Sequence, residues 1–281
     1  MLYFYIVTAV ALVPVLDNFF PILKESYSWW LTPVLAFSIF LSFLILHAAF
    51  LAICIQSVNL KKPPDPGSRF LRRYITLTIP IFYKLARVHV HVSGAEKIPD
   101  DKRVMLVCNH RDIADPVFLL SELSELELGF IAKKEVYEKI RFVAKALHKM
   151  HGLAIDRENN REAAKTIINA VKILKEDKAS IAVFPEGYTN RTNQELLPLR
   201  SGVFKIAERG NVPIVVCTLY NSPTVLKNMF RKRSDVYLNV AAVLEREELH
   251  GLHTDAVAQR VTEIMTASLN ETKRRISEGK N

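Results

Sequence analysis

The sequence predicts an α/β protein with a mostly parallel, mixed sheet that is flanked by helices and preceded by an N-terminal membrane helical hairpin. Three observations predict it: an uncharged apolar segment near the N-terminus, apolar runs of strand length beyond it, and helical periodicity between those runs. The chain has 281 residues, which is room for one large domain or two small ones. Because 49% of the residues are apolar and 24% are charged, a disordered or fibrous protein is excluded.

The N-terminal segment predicts membrane helices. Residues 31–55 contain no charged side chain, and a helix of this length exceeds the roughly 30 Å hydrocarbon core of a bilayer. Residues 1–16 are also uncharged but are followed by Asp17 and Asn18, so they form either a second span or half of a hairpin that dips into one leaflet. A signal peptide is disfavoured, because no basic segment precedes the apolar run and no small-x-small cleavage site is evident.

Charge is distributed unevenly along the chain, whose formal net charge is +9. Residues 1–58 hold one basic and two acidic side chains, whereas residues 59–281 hold 37 basic and 27 acidic ones. A basic cluster follows the apolar segment, formed by Lys61, Lys62, Arg69, Arg72 and Arg73. The positive-inside rule places this side in the cytoplasm. We therefore predict membrane-anchoring helices at 1–58 and a cytoplasmic domain at 59–281. The expected partner is an anionic bilayer rather than nucleic acid, because the basic residues are not interleaved with base-stacking aromatics.

The second part of the chain alternates between strand and helix patterns. Residues 69–86 predict an amphipathic helix, lying at the membrane interface or packed on the domain, with Pro80 bending or ending it. Strands are predicted at 88–92, 104–108, 181–184, 212–219 and 236–243, and helices at 116–125, 133–150, 160–176, 201–209 and 254–276. Such alternation predicts catalytic loops at the strand ends of a largely parallel sheet.

The first motif that carries chemistry is Asn-His-Arg-Asp-Ile-Ala-Asp-Pro at 109–116, directly after a predicted buried strand. His110 is the natural general base, since the ordinary pKa of histidine is about 6.5. A carboxylate on its other ring nitrogen would fix the tautomer. Asp115 reaches His110 only if the intervening residues form a tight turn and a helix begins at Asp115, and Asp112 competes for this place. From spacing alone, the alternative is a loop histidine beside a helix-capping Asp115.

Two further motifs end in charged side chains. Residues 184–191, Phe-Pro-Glu-Gly-Tyr-Thr-Asn-Arg, put Glu186 at the tip of a turn with Arg191 close behind. A carboxylate can accept a hydrogen bond from a polyol hydroxyl, and arginine suits phosphate. Residues 152–157 form another short apolar run that ends in a charged pair, and Arg157 is a second phosphate candidate. Taken alone, Pro-Glu-Gly is an ordinary turn and Arg157 fits a surface salt bridge.

Together and in this order, the motifs resemble the glycerolipid acyltransferases, most closely the PlsC-type 1-acylglycerol-3-phosphate acyltransferases, which make phosphatidate. The matching blocks are His-x4-Asp at 110–115, Ile-Asp-Arg at 155–157, Phe-Pro-Glu-Gly at 184–187 and Val-Pro-Ile-Val at 212–215, with Ala-Lys-Lys-Glu at 132–135 as a further similar segment. The resemblance covers roughly residues 75–230, and four ordered blocks are far more specific than any one of them.

The resemblance implies transfer of a fatty acyl group from acyl-CoA or acyl-carrier protein to a lysophospholipid acceptor, with lysophosphatidate favoured. His110 would deprotonate the acceptor hydroxyl and Asp115 would orient the imidazole. The oxygen would attack the thioester directly, without an acyl-enzyme, in keeping with the lack of Ser or Cys in the His110 loop. Backbone N–H groups in the 185–188 turn are the expected oxyanion donors.

The resemblance also implies how the acceptor is bound. Its glycerol phosphate would contact Glu186, Gly187 and Arg157, with Lys133 and Arg191 as weaker additions. No cofactor is expected beyond the acyl thioester as co-substrate. No metal is expected either, because His89 and His91 share one strand face without an evident third ligand.

Two positions depart from the family pattern. Asp112 stands where the family usually has Ser, and Tyr188 and Thr189 stand where it has Thr-Arg. If the missing arginine holds the acceptor phosphate, Arg191 must reach the site or the acceptor is different. The alternatives are therefore an acyltransferase for glycerol 3-phosphate or another lysolipid, and a catalytically inactive lipid-binding protein. The retained histidine and aspartate of the first motif argue against the inactive protein.

Overall fold

The computed structural model describes residues 1–19, 31–62, 69–100 and 103–279. The chain divides into two compact units, Met1–Val58 and Asn59–Asn281. The first unit holds helices α1 (Leu2–Phe19) and α2 (Leu31–Gln56).

The two helices of the first unit pack against each other as an antiparallel hairpin. Near the start of α1, the Tyr5 hydroxyl lies 2.9 Å from Nδ1 of His47, near the end of α2, and the Tyr5 ring stacks on Phe43. Among the described helices, α2 is the one whose length and apolar composition suffice to cross a membrane. Asp17 and Asn18 lie in the last turn of α1, whose apolar part is shorter than that of α2.

The second unit is a mixed α/β fold around one seven-stranded sheet. Its strands are β1 (Val88–Ser93), β2 (Met105–Cys108), β3 (Gly129–Lys133), β4 (Leu153–Ile155), β5 (Ile181–Val183), β6 (Ile214–Tyr220) and β7 (Ser234–Leu244). Its helices are α3 (Arg69–Ala86), α4 (Asp115–Glu122), α5 (Lys134–Lys139), α6 (Arg141–Lys149), α7 (Asn160–Lys175), α8 (Lys205–Gly210), α9 (Thr224–Asn228), α10 (Arg246–Leu249) and α11 (Thr254–Ser277). The strand order is β1-β7-β6-β2-β5-β3-β4, and β6 and β7 are the antiparallel neighbours. This architecture confirms the predicted fold class.

Hydrophobic cores lie on both faces of the sheet, and strand β2 takes part in both. Leu106 and Cys108 belong to the core that includes residues of α3 and α4. Met105 and Val107 belong to the core that includes residues of α7, α8 and α11. Because side chains alternate along a strand, a strand buried on both faces is a continuous apolar run, which is how the sequence marks β2.

Strand direction determines where the three sequence motifs meet. Strands β2 to β6 end at one edge of the sheet, and β1 and β7 run the other way, so they begin at that edge. The loops after β2, β4 and β5 carry the three motifs singled out in the sequence. They therefore lie along one edge, which is the usual place for a site in an open α/β sheet.

Several elements differ from the sequence-based expectation. Helix α3 continues through Pro80, so this proline does not end it; the helix buries Leu71 and Ile79 yet exposes Phe70 and Leu77, which means that it packs on the domain and also presents apolar side chains outward. The helix expected at 133–150 is two helices, α5 and α6. Strands β3 and β4 and helices α9 and α10 have no counterpart among the predicted elements, because each is too short to show a clear period in the sequence.

Candidate active site

His110 and Asp115 form a hydrogen-bonded pair after the carboxyl end of β2. Nδ1 of His110 lies 2.9 Å from Oδ2 of Asp115, whose carboxylate is fully buried. A carboxylate accepts at this contact, so Nδ1 carries the hydrogen and Nε2 keeps the lone pair that a general base needs. The His110 side chain is 17% exposed, which leaves the ring accessible from one side.

A tight turn brings the pair together. Oδ2 of Asp115 also accepts hydrogen bonds from the backbone N–H groups of Arg111 and Asp112, at 2.7 and 2.8 Å. Helix α4 begins at Asp115, but the capping residue is Ala114, and Pro116 lies in the first turn. The capping alternative for Asp115 is therefore wrong: its carboxylate turns back into the loop instead of capping the helix.

Asp112 is not the hydrogen-bond partner of the His110 ring, the role for which the sequence made it an alternative to Asp115. Its Oδ1 accepts a hydrogen bond from the backbone N–H of Ala114 at 2.9 Å. Burial raises the pKa of Asp112, and Asp115 raises it further, whereas the Ala114 N–H and the charge of Arg191 lower it. Arg191 itself is exposed and lies close enough to act on this carboxylate. The structure thus puts Arg191 beside the His110 loop.

Glu186 supports the His110 loop from the neighbouring strand. Its Oε1 accepts a hydrogen bond from the backbone N–H of His110 at 2.6 Å, and its Oε2 accepts one from the N–H of Leu197 at 2.8 Å. The residue is 2% exposed. Burial raises the pKa of Glu186, and the two N–H donors partly offset this. Glu186 is thus buried and holds two backbone N–H groups of the site, so the arrangement fits a residue that positions the His110 loop.

Three other residues that follow β5 contact His110, two of them at the imidazole. Oγ1 of Thr189 lies 3.1 Å from Nε2 of His110, and because Nε2 has no hydrogen when Nδ1 is bonded to Asp115, the threonine O–H is the donor. The Phe184 ring stacks on the imidazole with centroids 4.2 Å apart. The backbone N–H of Asn190 donates to the His110 carbonyl at 2.6 Å. The sequence marks Thr189 only as a departure from the family, and nothing in it indicates this contact.

Three basic side chains contact the ring of Tyr188, which precedes Thr189 in the chain. Nζ of Lys133, at the end of β3, lies 4.4 Å from the ring centroid. The guanidinium groups of Arg157, after β4, and Arg200 lie 5.4 and 5.3 Å from it. Arg200 also donates to the Tyr188 hydroxyl at 3.3 Å. Sequence reasoning missed Arg200, because it stands in a loop with no pattern around it.

Beside these cations lies a cavity of about 210 Å³ with a mixed lining: the basic side chains of Lys133, Lys134 and Arg157 and the acidic ones of Glu135, Glu138, Asp156 and Glu158. Nη1 of Arg157 is buried there and has no hydrogen-bond partner within the described part of the chain. Burial lowers the pKa of Arg157, and the nearby charge of Arg200 lowers it further. A bound anion would supply the missing acceptor and offset this charge.

Gly187 makes room for these cations. Its φ is +81°, a left-handed conformation that favours glycine, and a Cβ atom there would lie 2.8 Å from Nε of Arg200 and 3.5 Å from Nη1 of Arg157. Its backbone N–H donates to the carbonyl of Phe184 at 3.0 Å. That N–H is therefore occupied, and the expectation that it serves as an oxyanion donor is not met at this position.

Comparison with known proteins identifies the family of the chain. A family model described as Acyltransferase matches residues 89–220. A protein named probable 1-acyl-sn-glycerol-3-phosphate acyltransferase from Mycoplasma pneumoniae is 30% identical over 193 residues, which are 65% of this chain and 70% of that protein. The chain belongs to the glycerolipid acyltransferase family. This confirms the resemblance seen in the motifs, and the protein is an acyltransferase.

Two further relatives extend the likeness of this acyltransferase. A 1-acyl-sn-glycerol-3-phosphate acyltransferase of Borreliella burgdorferi is 28% identical over 196 residues, covering 66% of this chain and 77% of that protein. The crystal structure of the 1-acyl-sn-glycerophosphate acyltransferase PlsC from Thermotoga maritima superposes with a TM-score of 0.60 at 20% identity, covering 81% of this chain and 89% of that one. The acyltransferase therefore shares the PlsC fold.

A second cavity and the histidines of β1 lie away from the His110 site. A larger cavity of about 640 Å³ is lined by residues that precede β2, β3 and β5, including Arg103, Glu127 and Ser180, so it opens at the opposite edge of the sheet. Across the described ranges, no three His, Cys, Asp or Glu side chains group as metal ligands, and His91 instead pairs with Asp235 at 2.8 Å.

Proposed function

We propose that the acyltransferase moves a fatty acyl group from acyl-CoA or acyl-carrier protein to the free hydroxyl of 1-acylglycerol 3-phosphate, giving phosphatidate in phospholipid synthesis. The observation that carries this proposal is the His110–Asp115 pair, held at 2.9 Å at the same sheet edge as the three cations around Tyr188. Such a site has a general base that can deprotonate a hydroxyl and cations that can bind a phosphate. The relatives described above carry the name of the same reaction.

The reaction moves one proton from the acceptor hydroxyl to His110 and from there to the leaving thiolate. The acceptor hydroxyl replaces Thr189 at Nε2 of His110, which takes the proton as the oxygen attacks the thioester carbonyl carbon. The C–S bond breaks, and the thiolate leaves with the proton from the imidazolium. Asp115 fixes the tautomer and stabilises the imidazolium, an arrangement for which general base catalysis contributes about 10²- to 10⁴-fold. In this route the acyl group passes directly to the acceptor.

The acceptor phosphate binds among the three cations around Tyr188. Nη1 of Arg157 is buried and has no hydrogen-bond partner among the described residues, so a phosphate oxygen gains a charge-assisted hydrogen bond without displacing one of them. Lys133 and Arg200 leave the Tyr188 ring face to complete the set, and Arg200 takes the part of the family arginine that is missing at position 189. Hydrogen bonds to charged groups contribute about 1.5–3 kcal/mol each, so two of them account for micromolar rather than millimolar acceptor binding.

The active-site edge works at the cytoplasmic surface of an anionic membrane. Helix α2 has the length of a membrane span, and basic residues follow it in the chain. The α9–β7 loop, residues 229–233, adjoins the amino end of β7 at the same edge as His110. Its Phe230 is 66% exposed among basic neighbours. An exposed aromatic side chain with flanking cations suits the interface of an anionic leaflet.

The test is acyl transfer by the purified full chain in detergent. Labelled oleoyl-CoA and oleoyl-acyl-carrier protein are each offered with lysophosphatidate, glycerol 3-phosphate or a neutral lysolipid. We expect label in phosphatidate, lost by at least a hundredfold in His110→Ala and Asp115→Asn. The matched control is His250→Ala, since His250 is exposed and follows the end of β7 at the opposite edge.

The other outcomes distinguish the alternatives. Label only in another acceptor would overturn lysophosphatidate as the substrate and make Tyr188 and Thr189 determinants of specificity. Transfer that survives in His110→Ala would overturn the assigned base. No transfer to any acceptor by a folded protein would favour a lipid-binding role.

A further inference from the structure

Three side chains are aligned in the order nucleophile, base and acid. The O–H of Thr189 donates to Nε2 of His110 at 3.1 Å, and Nδ1 of His110 bonds to Asp115 at 2.9 Å. A hydroxyl and a base within hydrogen-bond reach, with the base oriented by a third group, is the signature of enzymes that form acyl-enzyme intermediates. The expectation of no acyl-enzyme rested on the lack of Ser or Cys in the His110 loop, whereas this hydroxyl comes from the loop after β5.

We infer that Thr189 is itself acylated by the donor thioester when the acceptor's place on His110 is empty. The protein would then have a second activity, acceptor-independent cleavage of acyl thioesters through an acyl-threonine ester. This inference rests on the proposed function only for the class of donor. It concerns the state before the acceptor arrives, because an acceptor hydroxyl bound at Nε2 displaces Thr189.

The chemistry balances without any added reagent. Nε2 of His110 takes the proton from Thr189 as Oγ1 attacks the thioester carbonyl carbon. The C–S bond breaks, a C–O ester bond forms on Oγ1, and the thiolate leaves with the proton from the imidazolium. The neutral His110 then activates a water, which cleaves the ester, releases the fatty acid and returns the proton to Oγ1.

Thr189 fits this role better than the nearby thiol. Cys108 is completely buried in β2, its sulfur lies 3.7 Å from Oδ1 of Asn109, and burial raises its pKa, so it has neither access nor thiolate character. Thr189 is half-buried, so a donor can reach it. Phe184 and Asp115 hold the imidazole that faces the threonine, so the base needs no rearrangement to act on it.

The experiment uses the full-length protein with oleoyl-CoA as donor and no acceptor. Samples are quenched in acid, and intact mass and peptide mapping locate any ester, while a thiol reagent measures the CoA released. We expect one oleoyl group on the peptide that contains Thr189, and thiol release that falls at least tenfold in Thr189→Val and in His110→Ala. Thr189→Ser keeps the hydroxyl, so we expect it to retain both signals; it also shows that a small change at this position leaves the fold intact.

Each outcome decides the inference. Thiol release that depends on the hydroxyl supports it even where the ester is hydrolysed too fast to accumulate. Equal thiol release by Thr189→Val and wild type, or an ester mapped to another residue, overturns it. So does the lack of both ester and thiol release in a preparation that transfers oleoyl groups to lysophosphatidate, and in that case the proposed function stands. An acyl-threonine in a protein that transfers to no acceptor would support the inference and overturn the proposed function.

Discussion

The backbone N–H of His110 donates a 2.6 Å hydrogen bond to Oε1 of Glu186, although 76 residues separate the two in the chain. The bond joins the loop after β2 to the loop after β5, which are neighbouring parallel strands. The other carboxylate oxygen holds Leu197. Glu186 therefore ties two active-site loops and the following segment together through one buried group.

Replacing Glu186 by Gln tests whether it positions the base or binds the acceptor. The amide has one acceptor oxygen for two backbone donors, so one buried N–H loses its partner, at a cost of about 1–3 kcal/mol in the free energy of unfolding. We expect a lower melting temperature and a kcat reduced about tenfold or more, with little change in KM for lysophosphatidate. Glu195→Gln is the matched control, because Glu195 lies in the same segment and its side chain is 41% exposed. A raised KM with unchanged kcat would contradict the positioning role.

Replacing Gly187 by Ala tests whether the adjacent Arg200 binds the acceptor phosphate. The left-handed backbone costs an alanine about 1 kcal/mol or more. The added Cβ would lie 2.8 Å from Nε of Arg200, so the guanidinium must move. We expect KM for lysophosphatidate to rise about tenfold, which corresponds to one weakened charged hydrogen bond. Gly202→Ala is the control, since a Cβ there meets nothing within 4 Å. Unchanged KM in Gly187→Ala would contradict a phosphate at Arg200.

The sequence predicts local relationships in this site better than distant ones. The approach of Asp115 to His110 follows from a five-residue spacing and a helix start, and β2 and β5 follow from continuous apolar runs. The contact of Thr189 with His110 spans 79 residues and exists because β5 lies next to β2 in the sheet. Strand order is set by packing of the whole domain, so no local pattern indicates that contact. The same holds for Arg200, which reaches Tyr188 only because the loop after β5 folds back.

The buried His151 makes stability depend on pH. Burial lowers the pKa of His151 from its ordinary value of 6.5, and the charges of Arg72 and Lys178 lower it further. As pH falls through 6.5, His151 of the unfolded chain binds a proton, whereas His151 of the folded protein binds it only at a lower pH. The free energy of unfolding therefore decreases between the pKa of the unfolded state and the lower pKa of the folded state. We expect a smaller decrease in His151→Asn between about pH 7.5 and about pH 5.5. Asn tolerates the left-handed backbone of this residue, whose φ is +59°.

Urea denaturation at several pH values measures this slope. The absolute stability of His151→Asn is expected to differ from that of wild type, since the site is 4% exposed, so the comparison is between slopes. His250→Asn changes an exposed histidine and serves as the control. Parallel pH profiles for wild type and His151→Asn would show that His151 contributes nothing to the pH dependence.

Phe230 tests whether the active-site edge meets the membrane. Its side chain is 66% exposed, and Arg231, Lys232 and Arg233 follow it in the α9–β7 loop. Burying an aromatic side chain in an apolar environment contributes about 1.5–3 kcal/mol, and each basic residue near an anionic surface about 1 kcal/mol. We expect Phe230→Ser to raise KM for lysophosphatidate presented in anionic vesicles by about tenfold, which corresponds to a loss of about 1.4 kcal/mol in binding. The loss is partial because the basic residues of the loop remain.

In detergent micelles, where no bilayer has to be entered, the same variant should retain the KM of wild type. Ile168→Ser is the matched control, since Ile168 is an apolar side chain on α7 that is 56% exposed and lies outside the α9–β7 loop. Raising the salt concentration should weaken the vesicle reaction of wild type, because salt screens the basic residues of the loop. If Phe230→Ser and Ile168→Ser lose the same activity on vesicles, the loop has no special contact with the bilayer. A loss by Phe230→Ser in detergent as well as on vesicles would instead assign Phe230 to the fold of the domain.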